Sequence, residues 1–470
     1  MCGIFGAYSD EKNVAKRLYY GLFALQHRGQ EGAGIATTDG KNIYYHKDLG
    51  LVAEVFNNKI LQNLIGFMGI GHVRYSTTGG KRVENCQPFI VKSSFGYIAI
   101  AHNGDIVNSE ELRKELEKRG HIFISSTDSE VIAQLLVREL IKTDDKIEAV
   151  KNTLDMLVGS YSLLIMFNDS LIAARDPYGF KPLCLGRDED FIYISSEDCA
   201  LTTLDADFIR DIKPGEILEI KDGEINSYKF KESDFNDYFD INVPIIYRGA
   251  TTCMFEYVYF SRPDSTIDGI SVYKVRKKIG KTLAREKPAS ADIVSPVPDS
   301  GITFALGYAE ESKIPYYEGL IKNRYVGRSF ILPSQNEREL AVRLKLSPVK
   351  SVLKDKSIVL VDDSIVRGTT SKRIIEIVRK AGAKEVHFRI GSPKIISPCY
   401  YGIDMSRKSE LIAVDKSEEE IAKIIGADSV GYISLEGLIK AIGRKDLCLA
   451  CLTGKYPTKI DFEKVIIREN

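Results

Sequence analysis

SIVLVDDSIVRGTT, residues 357–370, decides how the second half of this chain folds. Ile358, Val359, Leu360 and Val361 form a continuous apolar run, the pattern of a strand buried on both faces. From Ser371 onward Ile374, Ile375 and Val378 recur at helical spacing. The stretch therefore predicts a buried parallel strand, a tight loop and a helix. In that topology a ligand sits beyond the carboxyl end of the strand, at the start of the helix. Ser364, Gly368, Thr369 and Thr370 offer hydroxyls and backbone N–H groups that suit a phosphate monoester. Asp362 and Asp363 would repel a phosphate unless a cation intervened, but they suit a sugar diol or Mg2+. A loop with both chemistries predicts a ribose 5-phosphate. A helix cap would need one such residue, and this loop has six.

With those residues in place, VLVDDSIVRGTT resembles the binding motif for 5-phosphoribosyl 1-pyrophosphate (PRPP) of the type I phosphoribosyltransferases. The resemblance implies that Asp362, Asp363, Ser364, Arg367, Gly368, Thr369 and Thr370 hold PRPP. A second strand-loop-helix unit spans residues 292–311, and its loop of Pro298, Asp299, Ser300 and Gly301 resembles the pyrophosphate loop of the same family. Ser300, Asp362 and Asp363 are the expected Mg2+ ligands. Residues 321–349 are rich in Lys and Arg and poor in continuous apolar surface, which suits a flap that closes on a polyanion and excludes water. Lys322, Arg324 and Arg328 are expected on the diphosphate, with Arg343 and Lys345 available nearby. A strand at 385–390 and helices at 418–425 and 435–442 complete this parallel-sheet unit.

The 470 residues are enough for two substantial cores. The 65 basic and 65 acidic side chains cancel, so no general attraction to nucleic acid or anionic lipid is implied. The start, MCGIFGAYSD, lacks the features of a signal peptide, and no uncharged apolar segment approaches the length of a membrane span. A cytoplasmic location follows as an expectation. In a reducing compartment the eight cysteines are better candidates for catalysis or metal binding than for disulfides.

Removal of Met1 would leave Cys2 with a thiol and an α-amino group on one residue. Such an amine can take the thiol proton and later protonate a leaving amine. CGIFG, LQHRGQEGAGI at 25–35, GHVRYSTTG at 71–79 and AHNGDIVN at 101–108 together resemble the amino-terminal-nucleophile glutamine amidotransferases in order and spacing. The resemblance implies that Cys2 attacks the carboxamide of glutamine while Asn103 and Gly104 stabilise the oxyanion. Arg74 can pair with the substrate α-carboxylate and Asp128 with its α-ammonium; Arg28 is the third expected glutamine ligand. His27 and His72 read as structural hydrogen-bonding groups rather than as the base. Relatives can carry a short propeptide before the nucleophile, whereas only Met1 precedes Cys2 here, so maturation is expected to need methionine removal alone.

The first half reads as a succession of strands interrupted by helices at 14–25, 110–119, 128–141 and 146–157. A strand is expected at 121–124, a cap from Thr127, and hairpin turns at Pro177-Gly179 and Lys213-Gly215. The expected fold class is two-domain, α+β then α/β: an N-terminal-nucleophile αββα sandwich followed by a type I phosphoribosyltransferase domain. The expected boundaries are residues 2–235, 236–445 and a C-terminal segment 446–470.

Cys448 and Cys451 form a C-x-x-C, which alone could be a redox pair or half a metal site. Cys253 and Cys399 would complete a four-sulfur set, for which spacing leaves zinc and iron-sulfur open. Both halves together resemble the glutamine PRPP amidotransferase family in its cysteine-rich form, and that resemblance implies a [4Fe-4S] cluster on these four cysteines. It also implies formation of 5-phosphoribosylamine, the first committed step of purine synthesis, with purine-nucleotide inhibition and a homotetramer or homodimer. A glutamine-fructose-6-phosphate aminotransferase would share the first half but lack the diacid loop, and asparagine synthetase would need an ATP-pyrophosphatase motif that is not seen.

Overall fold

The computed structural model describes residues 2–75, 80–231, 251–323, 346–405 and 407–460. The join expected at 235/236 lies outside these residues, as do Arg324, Arg328, Arg343 and Lys345.

Two antiparallel sheets face one another in the first half. The first runs, edge to edge, Asp207–Asp211, Cys184–Arg187, Ile192–Ser195, Gly3–Tyr8, Met68–Arg74, Gly32–Thr38, Ile43–Leu49. The second runs Glu224–Lys229, Glu216–Lys221, Leu171–Arg175, Gly159–Met166, Gly96–Ile106, Phe89–Ser93. Ile4, Ala36, Ile70, Ala101, Leu164 and Leu218 fill the layer between them. Central strands are covered on both sides, so Gly159–Met166 is buried at every position and shows no polar alternation. The helix Ala15–Ala24 covers the first sheet, its Leu18 and Leu22 seated where a Cβ on Gly69 or Gly71 would collide with them. Helices Ser109–Lys118, Asp128–Lys142 and Lys146–Asp155 cover the second. This is the expected αββα sandwich.

Four local expectations are corrected. Residues 121–124 form no strand: Ile122 and Ile124 are exposed, and the N–H groups of Ile124 and Ser125 donate to the Glu130 carboxylate instead of to a neighbouring strand. Thr127 occupies the N-cap position before Asp128 without capping through its side chain; its hydroxyl bonds that of Ser125. The turns at 176–179 and 213–215 are not hairpins. Each carries the chain from one sheet to the other, and they brace one another through hydrogen bonds from Gly215 N to the carbonyls of Arg175 and Asp176.

The second half holds a parallel sheet in the order Ile293–Pro296, Ser357–Asp362, Glu385–Ile390, Ser429–Tyr432. Val294, Val359 and Val361 face a core shared with helices Val272–Glu286, Ile302–Ser312 and Leu435–Ile442. Ile293, Ile358 and Leu360 face the other side, against Thr369–Lys380 and Glu418–Ile425. The helix after the key loop thus begins at Thr369, two residues earlier than its apolar spacing indicates, because Gly368 turns left-handed (φ 77°) against Ile412. Among the described residues no helix is long and apolar enough to cross a membrane.

The halves are packed together. Arg175 and Arg444 both donate to Asp268, the Tyr401 ring stacks on Phe180 at 4.3 Å, and Ser160 Oγ donates to the Tyr401 carbonyl. Near the C-terminus, Leu447–Cys448 pairs in parallel with Thr252–Cys253 and ties that segment to the start of the second half.

Candidate active site

Cys2 precedes the central strand Gly3–Tyr8 and is partly exposed. Its backbone N donates to Asn103 Oδ1 at 3.1 Å, and its thiol approaches the Tyr75 carbonyl at 3.6 Å. Asn103 is fully buried, and its Nδ2 has no hydrogen-bond partner among the described residues. One end of this amide is therefore spent on orienting the nucleophile, and the other is a desolvated donor beside it. Gly104 follows; a Cβ there would come within 2.0 Å of the Ser160 carbonyl, so the close approach of the two strands requires glycine.

Around this centre the remaining expected residues divide. Arg74 ends the strand Met68–Arg74 and is 4% exposed. Asp128 opens its helix, accepts from Ile106 N at 3.0 Å, and lies 3.5 Å from His102 Nδ1. Burial is the largest influence on His102 and opposes its protonation, but the Asp128 charge and hydrogen bond, with the Ser160 carbonyl, together raise the pKa. His72 is buried beside Arg74, and its pKa falls to about 3 through burial first and the Arg74 charge second. Its Nε2 bonds the His102 carbonyl, while His27 bonds Glu197.

Arg28 does not present its guanidinium to a ligand. The side chain is wholly buried: Nε donates to the Cys2 carbonyl at 3.0 Å, and the two terminal nitrogens donate to Glu197 and, as a fork, to both oxygens of Glu256. Burial works against the Glu197 charge, yet His27 and Arg28 hold this carboxylate well below the usual range. Neither Glu197 nor Glu256 is recognisable as a site residue from spacing, since one lies in a strand-end segment and the other in an aromatic run, EYVYF.

The loop after Ser357–Asp362 forms the second centre. Gly301 lies so close to the Val361 carbonyl that a Cβ would sit 2.3 Å from it, which brings Ser300 Oγ to 3.4 Å from Asp362 Oδ1. Asp363 N donates to Asp362 Oδ1, and Ser364 Oγ donates to Asp363. Burial, then the neighbouring Asp363 charge, drives the Asp362 pKa well above the usual carboxylate range; Asp363 is also raised, chiefly by burial. Thr369 and Thr370 are exposed at the first turn of the helix. Arg367 is turned outward onto Glu410 at 2.6 Å, and Lys322 pairs with Asp299. An open cleft of about 600 Å³ beside the 298–301 loop is lined by Pro298, Asp299, Ile302, Lys322, Asn323 and Ser347.

Both metal expectations are corrected. Among the described residues no group of three or more His, Cys, Asp or Glu side chains is placed to hold a metal ion. Among the described residues Asp362 and Asp363 have no third ligand of those types. Cys253, Cys399, Cys448 and Cys451 are not an iron-sulfur site. Cys253 and Cys451 pack in the apolar core, Cys448 packs with Phe180, Tyr401 and Tyr456, and Cys399 Sγ accepts from Tyr401 N. Burial pushes every one of these thiols up, Cys253 to about 11. Cys86, Cys184 and Cys199 are likewise buried thiols.

The description of a glutamine amidotransferase domain matches residues 72–203, and that of a phosphoribosyl transferase domain matches 269–390. The amidophosphoribosyltransferase of Methanocaldococcus jannaschii is 78% identical over 472 residues, covering all of both chains. That of Archaeoglobus fulgidus is 54% identical over 99% of each. The solved structure of glutamine PRPP amidotransferase from B. subtilis complexed with ADP and GMP superposes with a TM-score of 0.88 at 49% identity, over 98% of both chains. With both domain descriptions matched in one chain and relatives that span its whole length, the chain belongs to the amidophosphoribosyltransferase family.

Proposed function

We infer that the chain converts glutamine, PRPP and water to 5-phosphoribosylamine, glutamate and pyrophosphate, in purine biosynthesis. The observation that carries this reading is the Asn103 side chain, which binds Cys2 N through Oδ1 while its buried Nδ2 has no partner among the described residues, in a chain that also bears the 357–370 loop.

After Met1 is removed, the Cys2 amine takes the thiol proton and the thiolate attacks the glutamine carboxamide carbon. Asn103 Nδ2 and the Gly104 N–H receive the resulting oxyanion. The protonated amine returns its proton to the departing nitrogen, the C–N bond breaks, and ammonia leaves a glutamyl thioester that water hydrolyses to glutamate. Arg74 and Asp128 hold the α-carboxylate and α-ammonium. In the second half, the nitrogen lone pair of ammonia bonds to C1 of PRPP as the C1–O bond breaks, and pyrophosphate departs with the electron pair. Asp362 and Asp363 address the ribose hydroxyls, while Ser364, Gly368, Thr369 and Thr370 hold the 5-phosphate. Lys322, with Arg324 and Arg328 outside the described residues, neutralises the diphosphate. Water competes with ammonia at C1, so closure over this site favours amination. A domain boundary near residue 235, a cytoplasmic location and a homo-oligomer belong to the same reading.

The solved B. subtilis relative is complexed with ADP and GMP, and this chain is read as a purine-nucleotide-regulated enzyme on that basis. The test of function is release of glutamate and pyrophosphate from glutamine and PRPP, with ammonia as alternative donor. Wild type producing glutamate but no pyrophosphate, even with ammonia, would overturn the assignment of the second half. Inhibition by ADP with GMP tests regulation in the same assay.

A further inference from the structure

The Cys2 centre is not built from the first half alone. Arg28, whose Nε holds the Cys2 carbonyl, is gripped by Glu256 from the second half: one nitrogen donates to Oε2 at 3.0 Å and the other to Oε1 at 2.9 Å. All three side chains of the Glu197, Arg28 and Glu256 group are excluded from solvent. Glu256 is held in turn. It opens the π-helical turn Glu256–Phe260, and Ser261 Oγ donates to its Oε2 at 2.7 Å. π-Turns recur at functional sites.

The far side of the same turn belongs to Arg276, which donates to the Tyr257 carbonyl at 2.9 Å and the Ser261 carbonyl at 2.7 Å. Arg276 is also the cation whose charge reaches Asp363 in the phosphosugar loop. The turn is thus clamped between two arginines, one on the nucleophile and one beside the sugar-binding acids.

We propose that Glu256 is a positioning residue for amide hydrolysis, fixing Arg28 and through it the Cys2 backbone, so that the first centre is complete only when the second half's π-turn is seated. A planar fork tolerates one carboxylate orientation. With Glu197 alone, Arg28 would keep a counter-charge but lose that geometric constraint, and the Cys2 carbonyl is one bond from the carbon that carries both reacting groups. The proposal rests on the glutamine-hydrolysing role assigned to Cys2.

The test uses the full chain after Met1 removal, comparing wild type with Glu256→Gln, Glu256→Asp and Ser261→Ala. Glu256→Gln should lower kcat for glutamate release at saturating PRPP by about tenfold or more, as misplacement of reacting groups does. The KM for glutamine and the ammonia-dependent release of pyrophosphate should each stay within about threefold. Ser261→Ala, which removes only the hydroxyl that orients Glu256, should move kcat the same way by less, and Glu256→Asp should restore part of it. Glutamate release unchanged in both Glu256→Gln and Ser261→Ala would overturn the proposal. So would glutamine- and ammonia-dependent rates falling together, which marks a purely structural strut. Failure of wild type to release glutamate would instead overturn the role of Cys2 on which the proposal stands.

Discussion

The chain buries two pairs of acids near its two centres, and they are treated oppositely. Glu197 and Glu256 share the Arg28 guanidinium, with serine hydroxyls on their remaining lone pairs, and Glu197 is held ionised despite full burial. Asp362 and Asp363 are adjacent, mutually repelling and bonded mainly to their own loop, so their carboxyls are pushed toward the protonated state. The first pair is a finished piece of scaffold that fixes a nucleophile. The second is held only by its own loop and Ser300, with no cation bonded to it to keep it ionised among the described residues. Buried charge stabilises a fold only when geometry and hydrogen bonds are complete, and the same residue type serves opposite ends when they are not.

The largest expected effect separates the two centres outright. Cys2→Ala should reduce glutamine-dependent glutamate release by at least about a thousandfold while leaving ammonia-dependent pyrophosphate release intact. Equal loss of both reactions would show that the centres are not chemically distinct.

Removing the shared cation tests whether the first pair is scaffold. Arg28→Met leaves Glu256 buried without its counter-charge and Glu197 with His27 alone, and a loss of about 3–5 kcal/mol in unfolding free energy is expected by denaturant titration. A loss below about 1 kcal/mol, the scale of an exposed pair, would break the contrast.

The second pair should answer the other way. Asp362→Asn should cut ammonia-dependent transfer by at least about tenfold, because a sugar-facing acceptor is lost. Yet it should not destabilise the fold. An acid whose folded pKa is raised keeps its proton in the native state after the unfolded chain has released it, so wild type loses stability as pH rises through that window. The variant lacks that loss, and the difference in melting temperature should widen in its favour as pH rises above the ordinary carboxylate range of about 4. A variant less stable there would show that Asp362 is part of the scaffold after all.

The effect confined to acid pH concerns His72, held neutral down to about pH 3. The unfolded chain takes a proton there below about pH 6.5 and the native one does not, so stability falls as the pH drops between these values, by about 1.4 kcal/mol per pH unit at most. His72→Gln should flatten that slope in the acid limb of a stability profile and change nothing at neutral pH. An unchanged slope would mean that the His72 site admits a proton.

The sequence by itself determined the local chemistry. A continuous apolar run marked 358–361 as a strand buried on both faces, and helical spacing found the helix that follows it, because these patterns reflect which faces lose water. Cys2, Asn103 and Gly104 were singled out by a resemblance, and the structure brings the Cys2 backbone N against Asn103 Oδ1. Only the tertiary structure decided matters that depend on residues distant in the chain. Two glycine turns that read as hairpins cross between sheets, since a turn does not specify which strand its successor will meet. Ile122 and Ile124 have strand character but no strand beside them. Four cysteines with metal-like spacing come near one another, Cys253 opposite Cys448 in register, yet among the described residues no three are placed to hold a metal ion, because ligation needs exact geometry and spacing fixes only distance along the chain. Arg28 carried the signature of a substrate ligand and became an internal strut once Glu256, 228 positions away, closed on it, a partnership that exists only when the two halves are folded together.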